Sequence, residues 1–224
     1  MPEEVTTTTT TMPTKSAKQK DADQDQVIQN FVTETSQIIA TTKKEPEILP
    51  QLARLAFDEA ELTHGEDLAI TLLNSFASRQ QAIADLDTKN AVLTSADAVV
   101  AKRAKDFRDV VTLSFADAAS RRALGAIGRL PEDRQKRLTL LRTAFATAAT
   151  APYATEMTRR SYDAAELAAA TADLDMLDSA LTDRDASQRT AVAATATRNT
   201  DYKTLREWRI KFNRALKRAR ERMK

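Results

Sequence analysis

From Leu167 to the end of the chain, apolar residues recur at steps of three and four, with no glycine or proline among them. Leu167, Ala170, Leu174, Leu177 and Leu181 open the series, and Tyr202, Leu205, Trp208, Phe212, Leu216 and Ala219 close it. This is the seam of one long helix made to lie against other helices. Unbroken, it would run roughly 80 Å at about 1.5 Å per residue. A second stripe of Leu72, Phe76, Ile83, Leu86, Leu93, Val100, Phe107 and Val111 predicts another long helix over 66–122.

Shorter pieces precede each long one. Val27, Ile28, Phe31, Val32, Ile38 and Ile39 predict a helix from Gln24, stopped by Lys43, Lys44, Glu45 and Pro46. A short helix over 50–62 carries Leu52, Leu55, Ala56 and Phe57, and Thr63, His64 and Gly65 are expected to break it. Gly125, Gly128 and Pro131 mark the clearest turn in the chain. A helix with Leu138, Leu141, Phe145 and Ala148 follows, ending near Pro152, and the second long helix is entered between Pro152 and Ser161.

Both stripes are interrupted, one at 87–90 and the other at 182–185. The helices either run on through these polar stretches or fold back there into hairpins. Of the residues that usually make such turns only Asn90 is present, which favours unbroken helices. Sliding the chain by 95 residues brings the two stripes into register. Leu72 then meets Leu167, Leu86 meets Leu181, Ala101 meets Ala196, Arg103 meets Arg198, Asp106-Phe107 meets Asp201-Tyr202, and Leu113 meets Trp208. An internal duplication is one reading of this, and chance in an alanine-rich chain is the other.

Composition adds the fold class. Three glycines and no cysteine in 224 residues leave little for tight strand connections, disulfides, thiolate metal sites or a cysteine nucleophile. The expectation is all-α: an elongated, coiled-coil-like helical bundle with two long helices, each preceded by shorter ones. A Thr-rich tail over 1–23 is expected to be disordered. It leads into one helical unit over 24–122 and a second over 123–224. Aromatic residues make up only 5% of the chain, so the seams are expected to be thinly covered in one copy and shared between copies in a homo-oligomer or filament. No stretch approaches the ~20 apolar residues of a membrane span, and no signal-like segment opens the chain, so a cytoplasmic location is expected.

Candidate chemistry is sparse. His64 is the single histidine, which removes a His-based triad and a His-rich metal site. Asp173, Asp175 and Asp178 read as a solvated face, and no phosphate-cradling glycine loop or nucleophile elbow occurs. No cofactor, metal or catalytic residue is therefore expected, and the chain reads as non-enzymatic.

One segment stands apart. Residues 203–224 hold ten Lys or Arg against Glu207 and Glu221, in a chain of net charge +2. Three explanations fit: complement to the helix dipole, contact with the phosphates of nucleic acid or anionic lipid, or head-to-tail association with an acidic surface. For the second, the candidate residues are Arg206, Arg209, Lys211, Arg214, Lys217, Arg218, Arg220 and Arg222. The leading expectation is a self-associating helical scaffold, and the alternative is a phosphate-binding module.

Overall fold

The computed structural model describes residues 17–223, with side chains from residue 23 onward. Among these residues there are seven helices and no strand. They are α1 (Ala17–Lys43), α2 (Leu49–Ala53), α3 (Glu59–Ser114), α4 (Ala118–Ala123), α5 (Arg134–Ala148), α6 (Tyr153–Arg159) and α7 (Ala164–Glu221). The all-α expectation, with two long helices that have shorter ones before them, holds. Both long helices run unbroken through their polar interruptions.

Several boundaries differ from the sequence reading. Helix α1 begins at Ala17 rather than Gln24, because the stretch to Asp23 contains good helix formers and no breaker. The rest of the expected tail, 1–16, lies outside the described residues. Residues 63–65 are not a break. The chain turns instead at Ala56, whose φ is +61°, and Asp58 then caps α3 by accepting the Glu61 amide at 2.9 Å. Gly65 is therefore helical. An added Cβ there would overlap the Trp208 ring and lie 2.8 Å from its Cε2, so the glycine admits the indole. At its other end α3 stops at Ser114 and not Arg122. Asp117 accepts the Ser120 amide at 2.7 Å and starts α4 as a separate helix. The same device starts α5 at Asp133 and α7 at Asp163.

The contacts divide the chain into two compact units that cut across the sequential halves. Met1–Ser78 groups with Ala196–Lys224, and Arg79–Thr195 forms the other unit. In the first, α1 and α2 pack with the beginning of α3 and the end of α7. Ile28, Val32, Ile39, Leu52, Leu62 and Leu72 are buried there with Leu205, Trp208, Phe212 and Leu216. Phe57 packs edge-on against Trp208 at 6.0 Å, and Trp208 stacks on Phe212 at 5.0 Å. Buried Thr35 and Thr42 return their hydroxyls to the carbonyls of Phe31 and Ile38, so neither leaves an orphan donor.

In the second unit the end of α3 and the beginning of α7 pack with α5. Phe107 lies fully buried between Phe145 and Tyr162, at ring distances of 4.9 and 5.4 Å. The polar interruptions of the two stripes meet here. Lys89 Nζ lies 2.8 Å from Asp183, and Arg184 Nε donates to Asn90 at 3.4 Å. What reads as two candidate turns is one polar layer between two continuous helices. The three aspartates of α7 are likewise ion-paired rather than merely solvated. Asp173 accepts from Arg103 of α3 at 3.0 Å, and Asp175 and Asp178 share Arg142 of α5.

Tyr162 carries a testable consequence. Its buried hydroxyl finds no hydrogen-bond partner among the described residues. Burial pushes the phenol up to about 12, against the opposing charge of Arg103. A folded-state value above the unfolded value of about 10 means that the neutral phenol's contribution is whole below pH 10. It is lost as pH rises through about 12. Tyr162→Phe should change stability at pH 7 by less than about 1 kcal/mol, because no bond is lost. Melting temperatures of the two proteins should then diverge between pH 10 and 12, with the wild type falling further. Parallel curves would contradict the assignment.

Candidate phosphate-binding face

Helix α7 reaches its last turns with an unmixed inner side. Leu205, Trp208, Phe212, Ala215, Leu216 and Ala219 are all buried, spaced by the three- and four-residue steps that keep one stripe inward. Every basic residue of this segment must therefore stand on the flanks or the outer side. Exposed Lys203 pairs along its own helix with Glu207 at 3.9 Å, and most of the others fall into two groups.

The first group is engaged. Arg209 lies with its guanidinium 4.6 Å from the Phe31 ring centroid, donates to Glu34 at 3.0 Å, and reaches the Thr35 hydroxyl at 3.2 Å. Arg220 donates to Glu45 at 3.2 Å. Buried Arg198, two turns earlier than Leu205, pairs with Asp25 at 2.6 Å. Residues 1–78 carry thirteen carboxylates against six Lys or Arg, and residues 196–224 carry eleven Lys or Arg against three carboxylates. The unit assembled from these two segments is thus close to electrically balanced. The basic end legible in the sequence is partly neutralised where α7 meets α1.

The second group is not engaged. Arg206, Lys211, Arg214, Lys217, Arg218 and Arg222 are exposed, and none has a side-chain hydrogen bond or ion pair among the described residues. At about 100° per residue they spread over about 160° of the helix circumference, centred on Arg214. Sequence inspection places basic residues on most sides of the helix. In the fold the unpaired ones share the outward half, because Arg209 and Arg220 on the α1 side are taken up in pairs. Glu207, Glu221 and the exposed Ile210 also lie on this half, and charge counting alone passes over them.

The seam residues fare as a group. Leu72, Phe76, Leu93, Val100, Phe107, Leu167, Leu174, Leu177, Leu205, Trp208, Phe212 and Leu216 are buried, and Ile83, Leu86, Leu181 and Tyr202 are partly so. All of this is achieved inside a single chain. A different apolar surface remains in the Arg79–Thr195 unit. Val92, Val99 and Met176 are exposed around Ala96 and Ala180, lining an open groove of about 430 Å³. His64 is exposed on α3, and no group of three or more His, Cys, Asp or Glu among the described residues is placed to hold a metal ion. No helix among the described residues is long and apolar enough to cross a membrane.

No family model, curated protein or solved structure matches the chain.

Proposed function

We propose that the protein is a non-enzymatic helical interaction module that binds a phosphate-bearing polyanion through the outward face of α7. The observation that carries this reading is the sorting of cations. Arg209 and Arg220, which face a neighbouring helix, are paired across to it, whereas six outward cations have no side-chain partner among the described residues. Dipole complement does not account for them all. That effect fades within the last turn, yet Arg206, Lys211 and Arg214 lie well over one turn before the helix end at Glu221. Unpaired lysines and arginines in such density release counterions when phosphates replace them. The intact chain should bind long-chain inorganic polyphosphate at about 50 mM salt. The logarithm of its affinity should fall with log salt at a slope between about −3 and −5. Absence of binding at that salt would overturn the reading.

A second reading, self-association as a scaffold, rests on the Val92, Val99 and Met176 groove. Its rim carboxylates are already neutralised within the chain, Asp173 by Arg103 and Asp183 by Lys89. A charge-balanced rim around an apolar floor suits a second copy of the same surface, which brings no like-charge repulsion. Sedimentation velocity should show a concentration-dependent dimer that Val99→Glu abolishes. One sedimenting monomer at every concentration would remove this reading.

A further inference from the structure

The arrangement of the six cations narrows the polyanion. This step rests on the phosphate-binding reading above. Taking Arg214 as the centre of the arc, Arg206 and Lys217 lie about 60–80° to one side, and Lys211 and Arg222 lie about 60–80° to the other. Arg218 stands between Arg214 and the second flank. Along the axis the set extends about 24 Å from Arg206 to Arg222. The face is a convex half-cylinder with cations on both slopes and a mixed crest of Arg214, Glu207, Glu221 and Lys203, the last paired with Glu207 at 3.9 Å.

A flat phosphate surface cannot satisfy both slopes at once, because their side chains leave the helix in directions well over a right angle apart. A concave polyanion with a phosphate wall on each side can. The major groove of B-form DNA is about 12 Å wide and admits one α-helix with its side chains. Carboxylates are tolerated at the crest of such a helix, since the groove floor presents base edges rather than phosphates. The major groove of A-form RNA is too deep and narrow for the same entry. Stacking on single strands has no support on this face, because Trp208 and Phe212 point into the core. Insertion into lipid would have only Ile210 to offer between 203 and 222, since the rest of the apolar stripe is buried.

We infer that the last turns of α7 dock in the major groove of duplex DNA, with Arg206 and Lys217 on one phosphate wall and Lys211 and Arg222 on the other. Arg214 at the crest then faces base edges, where an arginine pairs in bidentate fashion with guanine.

The test compares the full-length chain on a mixed-sequence 25-base-pair DNA duplex, the matching RNA duplex and phosphatidylserine vesicles, at equal phosphate concentration and graded salt. DNA should be bound at least tenfold more tightly than either alternative. Two variants, Arg206→Gln with Lys217→Gln and Lys211→Gln with Arg222→Gln, should each lower DNA affinity about tenfold or more. Each should also make the salt slope shallower by about two, with the helical circular dichroism unchanged. Equal binding to duplex RNA, preference for vesicles, or sensitivity to only one flank would overturn groove docking. If polyphosphate is bound and DNA is not, this inference falls and the proposed function stands. If none of the four is bound, both fall.

Discussion

Gly65→Ala is expected to destabilise the unit containing α1 and the end of α7 by about 2 kcal/mol or more, although the same exchange in an ordinary helix stabilises. The two contributions have opposite signs and comparable size. Alanine gains about 1 kcal/mol over glycine in a helix interior. Against this, the new methyl group would occupy the space of the Trp208 ring, which stacks on Phe212, lies edge-on to Phe57 and donates from Nε1 to Glu61 at 2.9 Å. Held on three sides, the indole cannot swing away without losing contacts, and overpacking of this kind typically costs 1–3 kcal/mol, occasionally more. A urea titration should show a lower midpoint with little change in slope. In a Trp208→Leu background the penalty should shrink or reverse, because the obstacle is gone. A stabilised Gly65→Ala single variant would refute the close packing of Trp208 on α3.

That residue also marks the limit of what the sequence makes legible. Thr63, His64 and Gly65 read as a break because glycine and a polar neighbour usually are one. The reason for this glycine is an indole on a different helix, and no local pattern discloses it. The true start of α3 did carry a local signal, Asp58 followed three residues later by Glu61, a carboxylate cap with its usual partner residue. The pair Asp163 and Glu166 repeats it at the start of α7. Periodicity succeeded where burial is decided by one stripe. The seam of both long helices, and Leu138, Leu141, Phe145 and Ala148 of α5, lie at least partly inside. It had less to say where partners come from elsewhere in the chain. Asp173, Asp175 and Asp178 look like a solvated run until Arg103 and Arg142 are brought to them from two other helices.

The repeat at 95 residues gains a structural context. Leu72 and Leu167 are both buried, one in each compact unit. Arg103 and Arg198 both bind an aspartate on another helix, again one in each unit. Phe107 and Tyr202 each pack edge-on against a ring of a neighbouring helix. Leu113 and Trp208, brought together by the same shift, differ: Leu113 is exposed and Trp208 is buried. The like pairs and this unlike one leave duplication and chance in an alanine-rich chain as the two readings.

Charge along the chain acquires its meaning only from the fold. Ten cations over 203–224 suggest a uniformly basic end. The fold separates structural arginines from available ones by what lies across from each. Arg209 covers Phe31 with its guanidinium and is mostly buried, so its loss removes packing as well as charge. Arg214 and Arg218 touch no described partner, so their loss should leave the fold as it was.

The measurement that decides the account sets these two classes against each other in one polyphosphate titration. One variant neutralises Arg206, Lys211, Arg214, Lys217, Arg218 and Arg222 as glutamines, and the other neutralises Arg209 and Arg220. At about 1 kcal/mol for each cation near a polyanion, the first should lose binding by at least about a thousandfold with its melting temperature preserved. The second should lose stability while keeping most of its affinity once folded. If the outward six can be removed without weakening binding, or if the paired two alone abolish it, the outward face of α7 is not the phosphate-binding surface.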